Sequence, residues 1–413
     1  MLDIKFIREN PEQVQKGAKD KNIDVDVQKI LELDTDFRAL STKLQELFAE
    51  RNAAAKERNI EKGKSLKVEI DEKEAGLGEL KQSLEESLLN IPNIANADVK
   101  AGKNDTENDV VKTVGEVKKF NFTPKDHIEL GQLLDIIDIE RATKVSGSRF
   151  AYLKNEGALL EMALVQFAME TLVNEGFTPI VPPTIITKET MRKLGYMENG
   201  GDEDMFQLKD NDSVLVGTAE QSIVPMHSDE VFSVKDLPKR YVGFSSSFRR
   251  EAGSYGKDTR GILRVHQFDK VEMVSFVPEE QDESEHDYLL SLEEKFFQAL
   301  EIPYQVIKMC TGDLGFPVAR KYDIEAFIPT QEKYREVTST STTTDFQARR
   351  LNIKYQVGED KKLVHILNGT AFAIGRTLIA ILENNQEEDG SVMIPEVLRK
   401  YIPGNLAKIT PKK

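Results

Sequence analysis

Between residues 27 and 90, apolar positions recur at spacings of three and four. Ile30, Leu33, Phe37, Leu40, Leu44 and Leu47 make one seam. Leu66, Ile70, Leu77, Leu80, Leu84 and Ile91 make a second in the same heptad frame, interrupted at Lys73 and Ser87. Such spacing puts the apolar side chains on one stripe of a helix, and two stripes can pack as a coiled coil. The pattern predicts two long helices that reverse at Gly63, giving an arm about 45 Å long for some 30 residues. Ile91-Pro92-Asn93 closes the second helix, because proline cannot extend it.

From about residue 125 the pattern changes. Short β-like runs (Pro179 to Val181, Val214 to Val216, Val271 to Phe276, Tyr304 to Met309, Leu363 to Leu367) mix with helical stretches such as Gly157 to Asn174 and Glu283 to Leu300. Strands and helices do not alternate strictly, so an antiparallel α+β domain fits better than a doubly wound sheet. The expected division is a helical arm over 1–100, a Gly/Asn/Asp-rich linker over 101–124 and a main domain over 125–413.

At 413 residues the chain is long enough for two or three domains, each with its own core. Hydrophobic residues make up 39% and charged residues 31%, the balance of a globular chain. No apolar run approaches the roughly 20 residues that span a bilayer, and the first residues lack a signal peptide's apolar stretch. The expected location is therefore the cytoplasm, with no membrane partner. The single cysteine, Cys310, cannot form an internal disulfide, and the five histidines show no zinc-ligand spacing, so zinc is not expected.

A formal charge of −15 argues against general affinity for nucleic acid unless positive charge is concentrated locally. Such a concentration lies between the two helices, where Lys56, Arg58, Lys62, Lys64 and Lys67 outnumber Glu57 and Glu61. A solvated helical turn can carry the same run.

The richest stretch for chemistry is Ser245 to Glu272. It reads as strand, polar loop (Gly253, Ser254, Gly256, Lys257, Asp258) and strand. Arg249 and Glu251 beside such a loop suit a phosphorylated ligand, since guanidinium bonds phosphate in bidentate fashion and a carboxylate accepts amine protons. A surface salt-bridge cluster would look the same. Further on, Gly369 and Gly375 flank a strand-like step into a helix whose first turn carries Arg376, where the helix terminus adds positive potential.

These segments resemble class II aminoacyl-tRNA synthetases. Phe248-Arg249-Arg250-Glu251 looks like motif 2, the glycine-flanked segment ending in Arg376 like motif 3, and Gly176-Phe177-x-Pro179 with Pro182-Pro183 like motif 1. Within that class, EAGSYGKDTRGILRVHQFDKVE, TGDLGF (311 to 316), DFQARRLNI (345 to 353) and PEVLRKY (395 to 401) are similar to bacterial-type seryl-tRNA synthetases, as are the MLDIKFIRENPE opening and the hairpin. The match covers nearly the whole chain.

The resemblance implies an antiparallel sheet flanked by helices, a homodimer built through motif 1, and an arm that grips serine tRNA through the basic residues Lys56, Arg58, Lys62, Lys64 and Lys67. It implies an ATP- and Mg²⁺-dependent reaction in which L-serine is adenylated and then transferred to tRNA(Ser), with tRNA(Sec) as a second acceptor. ATP would be held by Arg249, Arg250, Glu251, Arg264, Phe268, Glu336, Val337, Thr338, Ser339 and Arg376, with Arg249, Glu251 and Arg376 catalytic. Glu336 and Ser339 would hold Mg²⁺. Serine would meet Thr218, Ala219, Glu220, Arg249, Glu272, Asn368 and Thr370. On residue type alone, Phe268 could equally be a core residue.

Three places depart from the usual family pattern. Gly217 stands where proline is usual, Thr338 to Thr342 replaces a segment containing cysteine and asparagine, and Thr370-Ala371-Phe372 replaces Ser-Gly-Leu. Two further readings use the same residues. One is a ligase that loads a carrier protein, which the helical arm argues against. The other is a non-catalytic RNA-binding protein on a synthetase scaffold, which the presence of Arg249, Glu251, Glu336 and Arg376 argues against.

Overall fold

The protein is described by a computed structural model covering residues 1–209, 211–252 and 260–412. The loop residues Gly253, Ser254, Gly256, Lys257 and Asp258 lie outside the described residues. The chain divides into two compact units, Met1–Ile94 and Ala95–Lys413.

The first unit holds four helices: α1 (Ile4–Glu9), α2 (Pro11–Asp20), α3 (Val27–Lys56) and α4 (Ile60–Leu89). α3 and α4 form the hairpin that the heptads predict, with Leu44, Leu47, Leu66 and Ile70 buried along the seam. The reversal lies at Glu57 to Asn59 rather than at Gly63. Arg58 takes a left-handed φ of 59°, and the Asn59 side chain caps α4 by accepting the Lys62 N–H at 3.1 Å. Asparagine satisfies an otherwise orphaned helix donor, so its capping outweighs the glycine signal four residues on. Lys56, Arg58, Lys62, Lys64 and Lys67 are all exposed around this turn.

The second unit is built on an eight-stranded sheet. Its strands are β1 (Asp109–Val114), β2 (Thr178–Ile180), β3 (Lys239–Phe248), β4 (Gln267–Val277), β5 (Tyr304–Lys308), β6 (Arg320–Ile328), β7 (Lys333–Thr342) and β8 (His365–Ala373). Their spatial order is β1-β5-β6-β7-β8-β4-β3-β2. Every neighbouring pair is antiparallel except β2 with β3. The expected linker over 101–124 is thus partly wrong, since β1 pairs with β5 as an edge strand of the sheet. Its side chains are largely exposed, so it lacks the alternating pattern that marks a half-buried strand.

β4 is buried on both faces from Lys270 to Val277, so its polar members Lys270, Glu272 and Ser275 are buried along with the apolar ones. Val271 and Met273 join the larger core, whereas Val274 and Phe276 join the smaller one on the other face, as a two-residue repeat requires. The larger core is closed by α5 (Asn155–Asn174), α8 (Asp282–Ala299) and α10 (Ile374–Asn384), and the helices α6 (Lys188–Leu194), α7 (Glu220–Ile223) and α9 (Phe346–Leu351) complete the set used below. Phe296 of α8 sits at the centre of the larger core, 5.5 Å from the Phe167 ring and 5.0 Å from the Phe372 ring.

Replacing Phe296 by alanine removes a fully buried ring from that cluster. The expected loss is about 3–5 kcal/mol of stability, read as an earlier unfolding transition in denaturant.

Candidate active site

A cavity of about 450 Å³ opens between the ends of β3, β4, β7 and β8, the first turn of α10 and the segment Gly217 to Gln221. Two β-bulges decide which side chains reach it. In β7, Thr338 faces Ile324 but Glu336 faces Glu325, so Val337 is an extra residue. A bulge of this kind shifts the phase of the strand, and Glu336 and Ser339, three apart, both line the cavity. In β8, Thr370 faces Glu272 while Phe372 faces Val271, which makes Ala371 the extra residue. Asn368, Thr370 and Ala373 accordingly share the cavity wall.

Beyond its bulge, β7 explains the Thr-Ser-Thr-Ser-Thr run. The Thr338 and Thr342 hydroxyls donate to carboxylates of α8, Glu293 at 2.7 Å and Asp282 at 2.6 Å. Thr340 donates to the Asn368 carbonyl at 2.8 Å. Ser339 and Ser341 alternate with them and line the cavity. Gly369 suits the position opposite, because a Cβ there would lie about 3.0 Å from the Glu293 carboxyl and from the Met273 methyl and would press both aside. Burial pushes the Glu293 carboxyl well above its usual range.

One end of the cavity is cationic. Arg249 donates from Nε and Nη2 to the Gly217 carbonyl, both at 3.3 Å, and its guanidinium lies 5.5 Å from the centre of the Phe268 ring. Arg376 Nη1 lies 3.0 Å from Glu336 Oε2, and Lys321 also lines this end. Burial opposes charge on Glu336, but Arg376, Lys321 and Arg249 outweigh it and hold the carboxyl at about 2. Its side chain nonetheless keeps 43% of its surface open to the cavity. Glu251 accepts from Arg264 Nη1 at 3.2 Å.

The other end is rich in carboxylates. Glu220, buried, accepts from the Tyr196 hydroxyl at 2.9 Å and from Gln347 Nε2 at 3.2 Å. Glu272, fully buried behind the wall, accepts from Lys270 Nζ at 2.7 Å, Asn368 Nδ2 at 2.9 Å and Thr370 Oγ1 at 3.1 Å. Ser341 Oγ in turn donates to Asn368 Oδ1 at 2.7 Å. Burial, reinforced by the field of Glu272, raises the Glu220 carboxyl, and burial lowers the Lys270 ammonium. The Thr218 hydroxyl is buried on the cavity wall with no hydrogen-bond partner.

The structure brings Thr218, Glu220, Arg249, Glu251, Phe268, Glu336, Val337, Thr338, Ser339, Asn368, Thr370 and Arg376 onto one cavity. Ala219 packs instead into the smaller core. Glu272 and Arg264 stand behind the wall, each bonded to a residue that lines it. Arg250 is exposed and lines a neighbouring cleft with Arg149, Phe206 and His266. Sequence reasoning missed Lys270, Tyr196, Gln347 and Lys321. Lys270 was findable, since it stands two residues before Glu272 on a strand and so shares its face.

Magnesium takes hard oxygen ligands, and the ionised Glu336 carboxylate with the Ser339 hydroxyl offers that donor set on one wall. Among the described residues no group of three or more His, Cys, Asp or Glu side chains could hold a metal unaided. Phosphate or water oxygens would have to complete the shell.

The sheet and the bipolar cavity define a class II aminoacyl-tRNA synthetase core. Residues 205–385 match the family model of the tRNA synthetase class II core domain (G, H, P, S and T), and residues 1–95 match that of the seryl-tRNA synthetase N-terminal domain. The chain belongs to the seryl-tRNA synthetases. It is 44% identical to a serine–tRNA ligase from Dictyoglomus turgidum over all of both chains. With that from Rubrobacter xylanophilus it shares 42% identity over 97% of this chain and 98% of the other. The crystal structure of seryl-tRNA synthetase from Pyrococcus horikoshii complexed with ATP superposes with a TM-score of 0.94 at 39% identity, covering all of both chains. The cytoplasmic serine–tRNA ligase from Naegleria fowleri, solved in complex with AMP, gives 0.92 at 33% identity over 100% of this chain and 99% of that one.

The depressed Glu336 group makes stability depend on acid with a definite sign. Its ordinary value is 4.5, so the stabilising charge is fully present above that pH and is lost as pH falls toward about 2. The stability difference between the parent and Glu336→Gln should therefore be largest above pH 4.5 and close on acidification, as measured by denaturant unfolding at a series of pH values.

Proposed function

We propose that this chain activates L-serine with ATP and transfers it to tRNA(Ser). The observation that carries the reading is the polarity of the cavity, with cations at one end suited to phosphates and buried carboxylates at the other suited to an ammonium and a hydroxyl. In the first step the serine carboxylate attacks the α-phosphorus of ATP, the bond to pyrophosphate breaks, and seryl-adenylate forms. In the second, a terminal ribose hydroxyl of the tRNA attacks the seryl carbonyl and AMP leaves.

Arg249 is assigned to the α-phosphate, where charge builds in the transition state and a preorganised cation lowers the barrier. The Phe268 ring, beside it, offers adenine a stacking face. Arg376 takes the γ-phosphate end, and Glu251 with Arg264 orients ATP. Glu336 and Ser339 would hold Mg²⁺, which supplies charge neutralisation at the phosphates. Glu220 and the unpartnered Thr218 hydroxyl face the serine ammonium, while Glu272 acts through Asn368 and Thr370 at its hydroxyl. Arg250, on the neighbouring cleft, is better placed for the incoming tRNA than for ATP.

The homodimer is proposed from the apolar side chains that α5 and the sheet edge leave exposed, namely Leu159, Met162, Val173 and Val181, the last 81% accessible. Among the described residues no helix is long and apolar enough to cross a membrane, which fits the cytoplasmic location proposed. tRNA(Sec) as an additional acceptor follows from family resemblance and needs a host that makes it.

Pyrophosphate–ATP exchange tests the reading. Exchange should require serine and fall by roughly 10²-fold or more in Arg249→Ala. Exchange without any amino acid, or aminoacylation of a carrier protein in place of tRNA, would overturn it. For the arm, replacing Lys62, Lys64 and Lys67 by glutamine should weaken tRNA binding and flatten its salt dependence, with adenylate formation unchanged. An unaltered affinity in filter binding would leave the basic turn a solvated helix end.

A further inference from the structure

The Gly217 to Gln221 segment touches both ends of the cavity, and one buried side chain closes it on itself. Gln221 Oε1 accepts the Gly217 N–H at 2.7 Å, while the Gly217 carbonyl accepts both hydrogen bonds from Arg249. Between them stand Thr218, whose hydroxyl has no partner, and Glu220. The short helix α7 that starts at Glu220 has no side-chain cap from its N-cap residue Ala219. Gln221 is therefore the side chain that bonds the segment's leading N–H.

We propose that Gln221 is a positioning residue for adenylation: it holds Gly217 by its N–H so that the carbonyl of the same residue, in the next peptide unit, fixes Arg249 while the chain runs on to the serine-facing Thr218 and Glu220. This rests on the serine-activating reading above. The chemistry is local. The peptide unit that carries the Gly217 N–H is fixed at its other end, where the Val216 carbonyl accepts the Phe248 N–H at 2.8 Å. A partly buried N–H left without its acceptor is costly, so without Gln221 the chain rotates about Gly217 and carries the next carbonyl away from Arg249. ATP keeps its other proposed contacts at Phe268 and Arg376, on β4 and α10, which do not depend on this segment.

The two ends should respond differently, which separates positioning from general damage. Gln221→Val should raise the serine KM about tenfold and lower kcat, while the ATP KM stays within about twofold and the melting temperature is little changed. Proline has no N–H to satisfy, and Gly217 has no positive φ to forbid it; a Cβ there meets only ordinary contacts, the nearest at 3.5 Å. Adding Gly217→Pro to Gln221→Val should therefore bring the serine KM back toward the parent value.

The experiment compares the parent, Gln221→Val and the double variant in serine-dependent exchange and in serine binding by calorimetry. An unchanged serine KM in Gln221→Val would overturn the proposal. So would a parallel rise in both KM values with a lower melting temperature, or a double variant no better than the single. A parent that exchanges without serine defeats the functional reading instead, and calorimetry still decides whether Gln221 governs serine binding.

Discussion

The extra residues Val337 and Ala371 shift the side-chain phase of two adjacent strands, and the arrangement of the cavity follows from that shift. In a regular strand Glu336 and Ser339 would face opposite ways, and so would Thr370 and Ala373. With one residue inserted in each, the hydroxyls of Thr338 and Thr342 still reach the carboxylates of α8, and the chemistry on the other face comes into line. The hydroxyl-rich run therefore has two functions. Its threonines fasten the sheet to a helix or to the neighbouring strand, and its serines are left for the cavity.

That arrangement also separates charge. The cationic end keeps Glu336 ionised against the cost of burial, while at the carboxylate end burial and the field of Glu272 raise Glu220. Lys270 offsets only part of the negative charge of Glu220 and Glu272, and its own protonation is disfavoured by burial. A ligand bearing phosphates and an ammonium would satisfy both ends at once. A ligand bearing only one of them would leave the other end unbalanced.

Much of the fold was legible because it follows simple periodicities. The heptad seams predicted the helical hairpin, and the β-like run at Val271 to Phe276 predicted a strand. What escaped depends on single residues overriding a pattern: Asn59 capping a helix ahead of Gly63, or an exposed edge strand at Asp109 to Val114 with no alternation to announce it. In the site, the arginines were legible because phosphate chemistry calls for them in recognisable surroundings. Tyr196 and Gln347 were not, since they reach Glu220 from distant segments, and no spacing in the sequence encodes a β-bulge. Glu272 was assigned by the family resemblance, but its place behind the wall, bonded to Asn368 and Thr370, is a fact of packing.

The Glu293 carboxyl sits under this wall, against Gly369 and bonded to Thr338. The Thr338 hydroxyl proton it accepts is sealed between a helix and a sheet and exchanges with solvent only when the two part. That proton is thus a natural clock for the separation of α8 from the sheet. Its exchange rate reports how often that junction opens.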